Sequence, residues 1–157
     1  MRLRILGCSG SKYKNFNPTC FLLDNKILID VGNVMSQLEL DEMASLKSIL
    51  LTHMHFDHIA DLPFLIQTLF ESKKEDFYIY STSKTKKDVF DHIFNNKIWP
   101  NLFDLTDKLI WNDVEQFKPF YFEDYEITFV PVDHTVPTTG LIIEKDDRSF
   151  AFTSDTY

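Results

Sequence analysis

The sequence has few cysteines and no long apolar run, and each shortage excludes a class of protein. Cys8 and Cys20 form no C-x-x-C pair and are too few for a disulfide framework, so we expect both to be reduced and packed. No apolar run approaches the roughly 20 residues that a membrane-spanning helix needs. The apolar stretch at the N-terminus is too short for a signal peptide. These absences predict a soluble, cytoplasmic protein.

Two common catalytic motifs are also missing. The glycine- and serine-rich loop at residues 7–12 does not end in Gly-Lys-Ser/Thr, so it is not a phosphate-binding P-loop. We interpret it as a tight turn that lets a later segment pass close by. Ser9, Ser11 and Ser154 have no evident His/Asp relay, which argues against serine-type catalysis.

Positive charge is the third shortage. The chain has 16 Lys and Arg against 24 Asp and Glu, a net charge of −8. This charge repels a phosphate backbone and makes broad, non-specific nucleic-acid binding unlikely. A small anionic substrate still fits where bound cations reverse the local charge. At 157 residues, 44% of them hydrophobic, the chain predicts one domain over 1–157 with a sizeable core.

Apolar runs predict an α/β protein with a mixed sheet and helices packed outside it. The predicted strands are 3–6, 20–23, 26–30, 48–52, 77–80, 108–111, 117–122, 125–132, 141–144 and 150–153. The predicted helices are 34–44, with a break near residue 40, 57–70 and 84–94. The predicted turns and loops are 24–25, 73–76, 123–124 and 146–147.

The densest cluster of possible metal ligands is the H-x-H-x-D-H stretch from His53 to His58, between a predicted strand and a predicted helix. His53 and His55 are two residues apart, which places both on one side of a strand end. Asp57 and His58 follow and can face a second point. Imidazole and carboxylate are usual ligands of divalent cations, and this spacing suits two metals side by side.

Three further residues follow apolar strands. His134 would complete a three-histidine site with the fourth position left to water. Asp155 is either an exposed tail residue or a carboxylate that bridges two metals. Burying the Asp30 carboxylate directly after a buried strand costs free energy unless another group pairs with it. Asp30 either caps a helix at 34–38 or supports a metal ligand by a hydrogen bond.

Other candidates receive weaker assignments. We expect the fifth histidine, His92, on a helix surface, with a role in a pocket as the minor alternative. Trp99 could stack a nucleobase, but it is equally suited to packing beside Pro100. The cysteines could serve as metal ligands, although we favour packing.

Together these residues resemble the metallo-β-lactamase fold superfamily, which has Asp30, the stretch from His53 to His58, His134 and Asp155 in this order. Within it, the chain is most similar to class II cyclic-nucleotide phosphodiesterases, at residues 92–100, 134–140 and 153–156. The ribonuclease Z branch, which trims tRNA 3′ ends, is similar at the histidine cluster and at 134–137. It is the nearest rival.

The resemblance implies a four-layer αββα sandwich with a di-metal site at the edge of its sheets. One metal would be held by His53, His55 and His134. Asp57 and His58 would hold the other, Asp155 would bridge the two, and Asp30 would support them. The superfamily has one more ligand histidine and further elements beyond the bridging aspartate, whereas this sequence ends at Tyr157. The resemblance therefore implies a domain whose C-terminal part is missing, with a second metal site one ligand short. Another chain, or a second copy in a homo-oligomer, could complete it.

The leading hypothesis is a metallo-hydrolase that opens the small phosphodiesters cyclic AMP and cyclic GMP to nucleoside monophosphates. Asp57 and Asp155 would hold a hydroxide shared by two metal ions, which attacks phosphorus. Zinc is the first choice, and manganese or iron would suit the second site. The alternatives are a tRNA 3′-processing endoribonuclease, a hydrolase of lactams, lactones or thioesters, and a non-catalytic metal-binding fragment that needs a partner chain.

Overall fold

Two β-sheets pack face to face in the computed structural model, which describes residues 1–72 and 75–157. Lys73 and Lys74 of the predicted loop at 73–76 lie outside the described residues. The first sheet has six strands in chain order: β1 (Leu3–Gly7), β2 (Cys20–Leu23), β3 (Ile27–Ile29), β4 (Ser48–Leu50), β5 (Phe77–Ser81) and β6 (Leu109–Asp113). The second has the order β10-β9-β8-β7, formed by β7 (Phe120–Phe122), β8 (Tyr125–Val132), β9 (Thr138–Lys145) and β10 (Arg148–Phe152).

The strand directions bring several chain segments to one edge of the first sheet. β1, β2 and β3 form an antiparallel meander, whereas β3 to β6 run parallel. The β2–β3 turn at Asp24 and Asn25 has positive φ at both residues, 46° and 59°, and this confirms the predicted hairpin. β3 is fully buried along its length, as its continuous apolar run predicted. Asp30 and Thr52 therefore leave neighbouring parallel strands at the same edge.

Two hydrophobic cores separate three layers. One lies between the sheets, and the other lies under the helices that cover the outer face of the first sheet. Within the described ranges, no helix covers the outer face of the second sheet, where Tyr121 is 74% exposed. The α/β class and the helix–sheet–sheet layers agree with the prediction. The helices are α1 (Leu40–Ser45), α2 (Phe56–Ile59), α3 (Leu62–Ser72), α4 (Ser83–His92) and a 3₁₀ helix, Leu102–Leu105. None of these described helices is long and apolar enough to cross a membrane.

Two helix predictions are wrong in their extent. The helix predicted over 34–44 occupies only Leu40–Ser45, because the Glu39–Glu42 capping box starts it there and the preceding segment forms a single turn. The helix predicted over 57–70 is divided into α2 and α3. Pro63, the second residue of α3, favours a new helix start because it has no N–H to donate.

Two further predictions need correction. The strand predicted over 117–122 is limited to Phe120–Phe122, because Phe117 has a positive φ of 62° and Pro119 lacks a ladder donor. The mixed sheet predicted from the pattern is the first sheet, whereas the second sheet was implied by the resemblance alone. Cys20 is buried as expected, but Cys8 is exposed and not packed.

A polar group joins the two sheets at the end away from Asp30. The Tyr125 hydroxyl of β8 donates a hydrogen bond to Asp24 in the β2–β3 turn. Lys145, at the end of β9, places its Nζ 4.6 Å from the centre of the Tyr125 ring. Tyr125 is itself fully buried in the core between the sheets, so this hydrogen bond satisfies the only polar atom of its side chain.

Candidate metal centre

Elements from both sheets bring the six predicted ligands together. His53 and His55 follow β4, Asp57 and His58 lie on α2, His134 lies between β8 and β9, and Asp155 follows β10. One group consists of His53, His55, His134 and Asp155, and the other of Asp57, His58 and Asp155. Within each group, one ligand atom per residue lies within 4.8 Å of the others. Asp155 belongs to both groups, which is the place predicted for a bridging carboxylate.

The imidazoles are packed closely against one another. The rings of His53 and His58 are 4.1 Å apart between centroids, and those of His53 and His55 are 4.8 Å apart. The Nε2 atom of His134 lies 3.0 Å from Nδ1 of His55. Two facing imidazole nitrogens can share one proton at this distance, or both can present lone pairs to a cation.

Hydrogen bonds fix which nitrogen of His53 carries its proton. The Thr52 hydroxyl has one hydrogen, and it donates this to the Asp30 carboxylate, with 2.8 Å between Oγ1 and Oδ2. His53 Nδ1, 3.0 Å from the same hydroxyl, must therefore be the donor to it. Its Nε2 therefore carries no proton and presents a lone pair to the cluster.

His58 has the same arrangement through a direct contact. Its Nδ1 lies 2.7 Å from Oδ2 of Asp30, and a carboxylate can only accept, so Nδ1 donates. His58 Nε2 is 3.3 Å from Oδ1 of Asp155 and 3.7 Å from Oδ2 of Asp57, without hydrogen-bond geometry to either. A carboxylate that orients a metal-binding histidine in this way is a common arrangement in metal sites.

These two Nε2 atoms test whether the residues fit a metal. Both are buried and have no hydrogen-bond partner within the described part of the chain. A buried polar atom without a partner costs about 1–3 kcal/mol. The Nε2 atom of His58 lies 3.3 Å from a carboxylate oxygen of Asp155, and a divalent cation between two such electron-rich atoms would remove their repulsion. The residues therefore fit a divalent cation, although their assignment as ligands stays a prediction.

The protonation equilibrium of His53 agrees with this fit, whereas a cation at His58 Nε2 would compete with a proton. Burial, followed by the charges of His58, His55 and His134, lowers the pKa of His53 to about 3. His53 is therefore neutral near pH 7, as a metal-binding imidazole must be. Burial also opposes the charged form of His58. The hydrogen bond and charge of Asp30, with Asp155 and Asp57, outweigh burial and raise the pKa of His58.

Asp30 is the centre of the hydrogen bonds behind the cluster. It is fully buried and accepts from Thr52 N at 2.9 Å, in addition to the Thr52 hydroxyl and His58. The predicted alternative, a helix cap at 34–38, is wrong because no helix forms there. The N–H groups of Val34 and Met35 instead donate to Asp61.

Three neighbours of the cluster were not predicted from the sequence. Thr52 links Asp30 to His53, and Ser154 donates to the Thr52 hydroxyl at 3.0 Å. Thr139 donates to the carbonyl oxygen of Thr52 at 3.1 Å and so ties β9 to the end of β4. The available signal was adjacency, since Thr52 and Ser154 directly precede predicted ligands.

Close backbone contacts beside the cluster depend on glycine. A Cβ at Gly32 would lie 1.9 Å from the carbonyl oxygen of Asp57. A Cβ at Gly7 would lie 1.9 Å from the carbonyl oxygen of Pro18, which confirms the predicted close passage at the glycine-rich loop. The backbone around Asp57 therefore tolerates no side chain at position 32.

The remaining candidates lie outside both ligand groups. His92 is exposed at the end of α4, as predicted for a surface residue. Trp99 is half-buried and packs edge-to-face with Phe64 at 5.1 Å between ring centroids, which favours the packing interpretation. Cys8 and Cys20 are free, and neither joins a ligand group among the described residues.

Comparison with known proteins supports the assignment of the fold. Residues 25–157 match the family described as "Beta-lactamase superfamily domain". A ribonuclease Z from Pyrococcus abyssi is 31% identical over 130 residues, which are 80% of this chain and 41% of that protein. The chain spans between 39% and 51% of the length of the curated relatives it matches.

Solved structures share the fold at low sequence identity. The metallo-β-lactamase fold protein YhfI from Bacillus subtilis superposes with a TM-score of 0.75 at 19% identity, covering 98% of this chain and 61% of that one. Unliganded yeast PDE1 gives a TM-score of 0.76 at 17% identity, with coverages of 91% and 61%. With the family match over most of its length, the chain belongs to the metallo-β-lactamase fold superfamily.

Proposed function

We propose that this chain is a metal-dependent phosphodiester hydrolase. One observation carries the proposal. Two ligand groups share Asp155, and two buried Nε2 lone pairs face them without a partner within the described ranges. Paired cations in such a site polarise phosphoryl oxygens and make water more acidic.

The chain's own residues would divide the work between holding cations and meeting substrate. His53, His55, His134 and Asp155 would hold one cation, and Asp57, His58 and Asp155 the other. His53 and His58 are rigidly placed because Thr52 and Asp30 fix their protons on Nδ1. The Asp155 side chain is 41% exposed, so the shared carboxylate also reaches the solvent side from which a substrate arrives.

The nature of the substrate is the finer part of the proposal. The resemblance at residues 92–100 and the fold shared with yeast PDE1 support cyclic nucleotides. The curated relatives at 26–31% identity are ribonucleases Z, and they support the 3′ end of a tRNA precursor. Both substrates contain a phosphodiester, so the metal chemistry is common to them. Zinc is our first choice of metal, because three of the four ligands in the larger group are imidazoles.

A three-substrate assay tests the proposal. The chain, loaded with Zn²⁺ or Mn²⁺, is offered bis(p-nitrophenyl) phosphate, cyclic AMP and a tRNA precursor with a 3′ trailer. We expect hydrolysis of at least one, with a loss above about 100-fold in His134→Ala, since changing an outer partner alone costs about 10–100-fold. His92→Ala is the matched control and should keep full activity.

Two results would contradict the proposal. Equal activity in His134→Ala and wild type would mean that the cluster does not do the chemistry. Metal binding without turnover of any of the three substrates would favour the non-catalytic alternative, in which another chain is needed.

A further inference from the structure

The segment between β1 and β2, residues 8–19, forms an ordered projection that we call the arm. Its base is closed by a hydrogen bond from Ser9 N to the carbonyl oxygen of Asn17, at 2.9 Å. At its tip, Tyr13 and Phe16 exchange two backbone hydrogen bonds, of 3.1 and 2.8 Å. Lys14 has a φ of 46° in the two-residue turn between them. The arm is therefore a small hairpin with a defined tip.

The tip presents two aromatic rings to solvent. The Tyr13 and Phe16 rings stack with centroids 4.5 Å apart and an interplanar angle of 18°. They stay 57% and 51% exposed. Aromatic faces in solvent are the surfaces on which unpaired bases stack, because every base has a π-face.

The arm starts beside the metal centre. A Cβ at Gly10 would lie 3.5 Å from Oδ2 of Asp57. Tyr13 is three residues further on, so even a fully extended chain places its Cα within about 11 Å of the Cα of Gly10. Lys12 donates from Nζ to Oδ1 of the buried Asn33, at 3.2 Å, and Asn33 directly follows Gly32, which packs on Asp57. The arm thus begins at the rim of the cluster, and the residues of its tip follow Gly10 by three to six positions.

The first 23 residues, which include the arm up to residue 19, differ in charge from the rest of the chain. Residues 1–23 contain four of the 16 Lys and Arg and none of the 24 Asp and Glu. Two of these cations, Lys12 and Lys14, flank Tyr13 and are exposed. An otherwise acidic chain therefore offers phosphate groups a cationic segment next to its candidate metal centre.

We infer that the arm binds the unpaired nucleotides that flank the scissile phosphodiester. Bases stack on Tyr13 and Phe16, and the phosphates lie along Lys12 and Lys14. The inference rests on the proposed function and deepens it. A strand that continues past the metal centre fits these rings better than a cyclic mononucleotide does, because the rings stand on a projecting hairpin outside the ligand groups.

Binding of a fluorescein-labelled single-stranded oligoribonucleotide, followed by anisotropy in the presence of a chelator, tests the arm without any turnover. We expect Tyr13→Ala and Phe16→Ala each to weaken binding by roughly 5–150-fold, the range for removal of one stacking ring. Tyr13→Phe keeps the ring and should bind like wild type. Tyr121→Ala, which removes a ring exposed on the second sheet, is the matched control and should also bind like wild type.

The salt dependence tests the lysines. Lys12→Gln and Lys14→Gln should each reduce the slope of log K against log [salt] by about 0.7, as for one phosphate contact with a single strand. Lys118→Gln, at an exposed lysine remote from the arm, should leave the slope unchanged. Circular dichroism of each variant checks its folding.

These results distinguish failure of nucleotide binding by the arm from failure of the proposed hydrolase function. Unchanged oligoribonucleotide binding in Tyr13→Ala and Phe16→Ala would contradict nucleotide binding by the arm, whether or not phosphodiesters are cleaved. An increase in KM for cyclic AMP in these variants, with unchanged oligoribonucleotide binding, would contradict binding of an RNA strand by the arm and would mean that the two rings contact a mononucleotide. Ring-dependent binding by a chain that cleaves no phosphodiester supports the arm and contradicts the proposed function alone.

Discussion

Replacing Asp30 by asparagine should weaken metal binding although Asp30 belongs to neither ligand group. The Thr52 N–H reaches Oδ1 of Asp30 at 2.9 Å, and the Thr52 hydroxyl lies 2.8 Å from Oδ2 and 3.1 Å from Oδ1. The carbonyl oxygen of an asparagine at the Oδ1 position can therefore accept from both groups of Thr52. The amide nitrogen then takes the place of Oδ2, which faces Nδ1 of His58 at 2.7 Å. Two donors cannot bond to each other.

His58 can relieve this conflict only by moving its proton from Nδ1 to Nε2. The lone pair that faces Asp57 and Asp155 is then lost, and with it one ligand of the second group. Loss of such an outer partner typically costs about 10–100-fold in metal affinity. Loss of a hydrogen bond to a charged group costs about 1.5–3 kcal/mol of the free energy of unfolding.

Metal affinity by competition with a chromogenic chelator, and stability by urea unfolding, measure the two effects of Asp30→Asn. The matched control is Asp61→Asn. The N–H groups of Val34 and Met35 both donate to Oδ2 of Asp61, at 2.7 and 2.8 Å, and a single amide oxygen can replace it. We expect no change in metal affinity in this control. Wild-type affinity in Asp30→Asn would refute the tautomer argument.

Two further predictions concern the backbone near the cluster and the far end of the sheets. Gly32→Ala should displace Asp57 and weaken metal binding in the same chelator assay. Gly10→Ala should not, because its Cβ would lie 3.5 Å from its nearest neighbour, Oδ2 of Asp57. Equal metal affinities in the two variants would contradict the packing argument. Tyr125→Phe should lower the free energy of unfolding in urea by about 0.5–3 kcal/mol, because the hydroxyl joins the two sheets and its carboxylate partner is charged. Tyr121→Phe, at an exposed ring, should change the unfolding free energy by less than about 0.5 kcal/mol, and a larger change there than at Tyr125 would contradict this account.

Strands were easier to predict from the sequence than helices. The run Ile27–Ile29 is apolar at every position, and the structure buries all three residues. The segment around Val34 has a helical spacing of apolar residues, but its first N–H groups are bound by Asp61, 27 residues further along the chain. A contact of that separation leaves no local signal, so the pattern predicted a helix where the chain makes one turn.

The proximity of the candidate ligands was predictable because these residues are chemically distinctive and follow apolar strands. His53 to His58 lie in one stretch, and His134 and Asp155 each come after a strand, so strand ends alone bring them near one another. The roles of Thr52 and Ser154 were not predictable. A hydroxyl next to a ligand is common in any sequence, and only the structure shows that it fixes the proton of His53.

The separation into two sheets also had no local signal. Alternating and continuous apolar strands predict burial, but they do not say which strands pair. The crossing from β6 to β7 depends on a positive φ at Phe117 and on Pro119, within a segment whose composition resembles a strand. Which strands pair is visible only in the structure.

The most direct test of the central claim is the metal content of the chain after it has been stripped and then reloaded with Zn²⁺. Mass spectrometry under native conditions gives the number of ions bound to each chain. We predict at least one tightly bound ion in the wild type and in His92→Ala, and its loss in His134→Ala. No bound ion in the wild type, or equal metal content in all three proteins, would contradict the claim that this cluster is a metal centre.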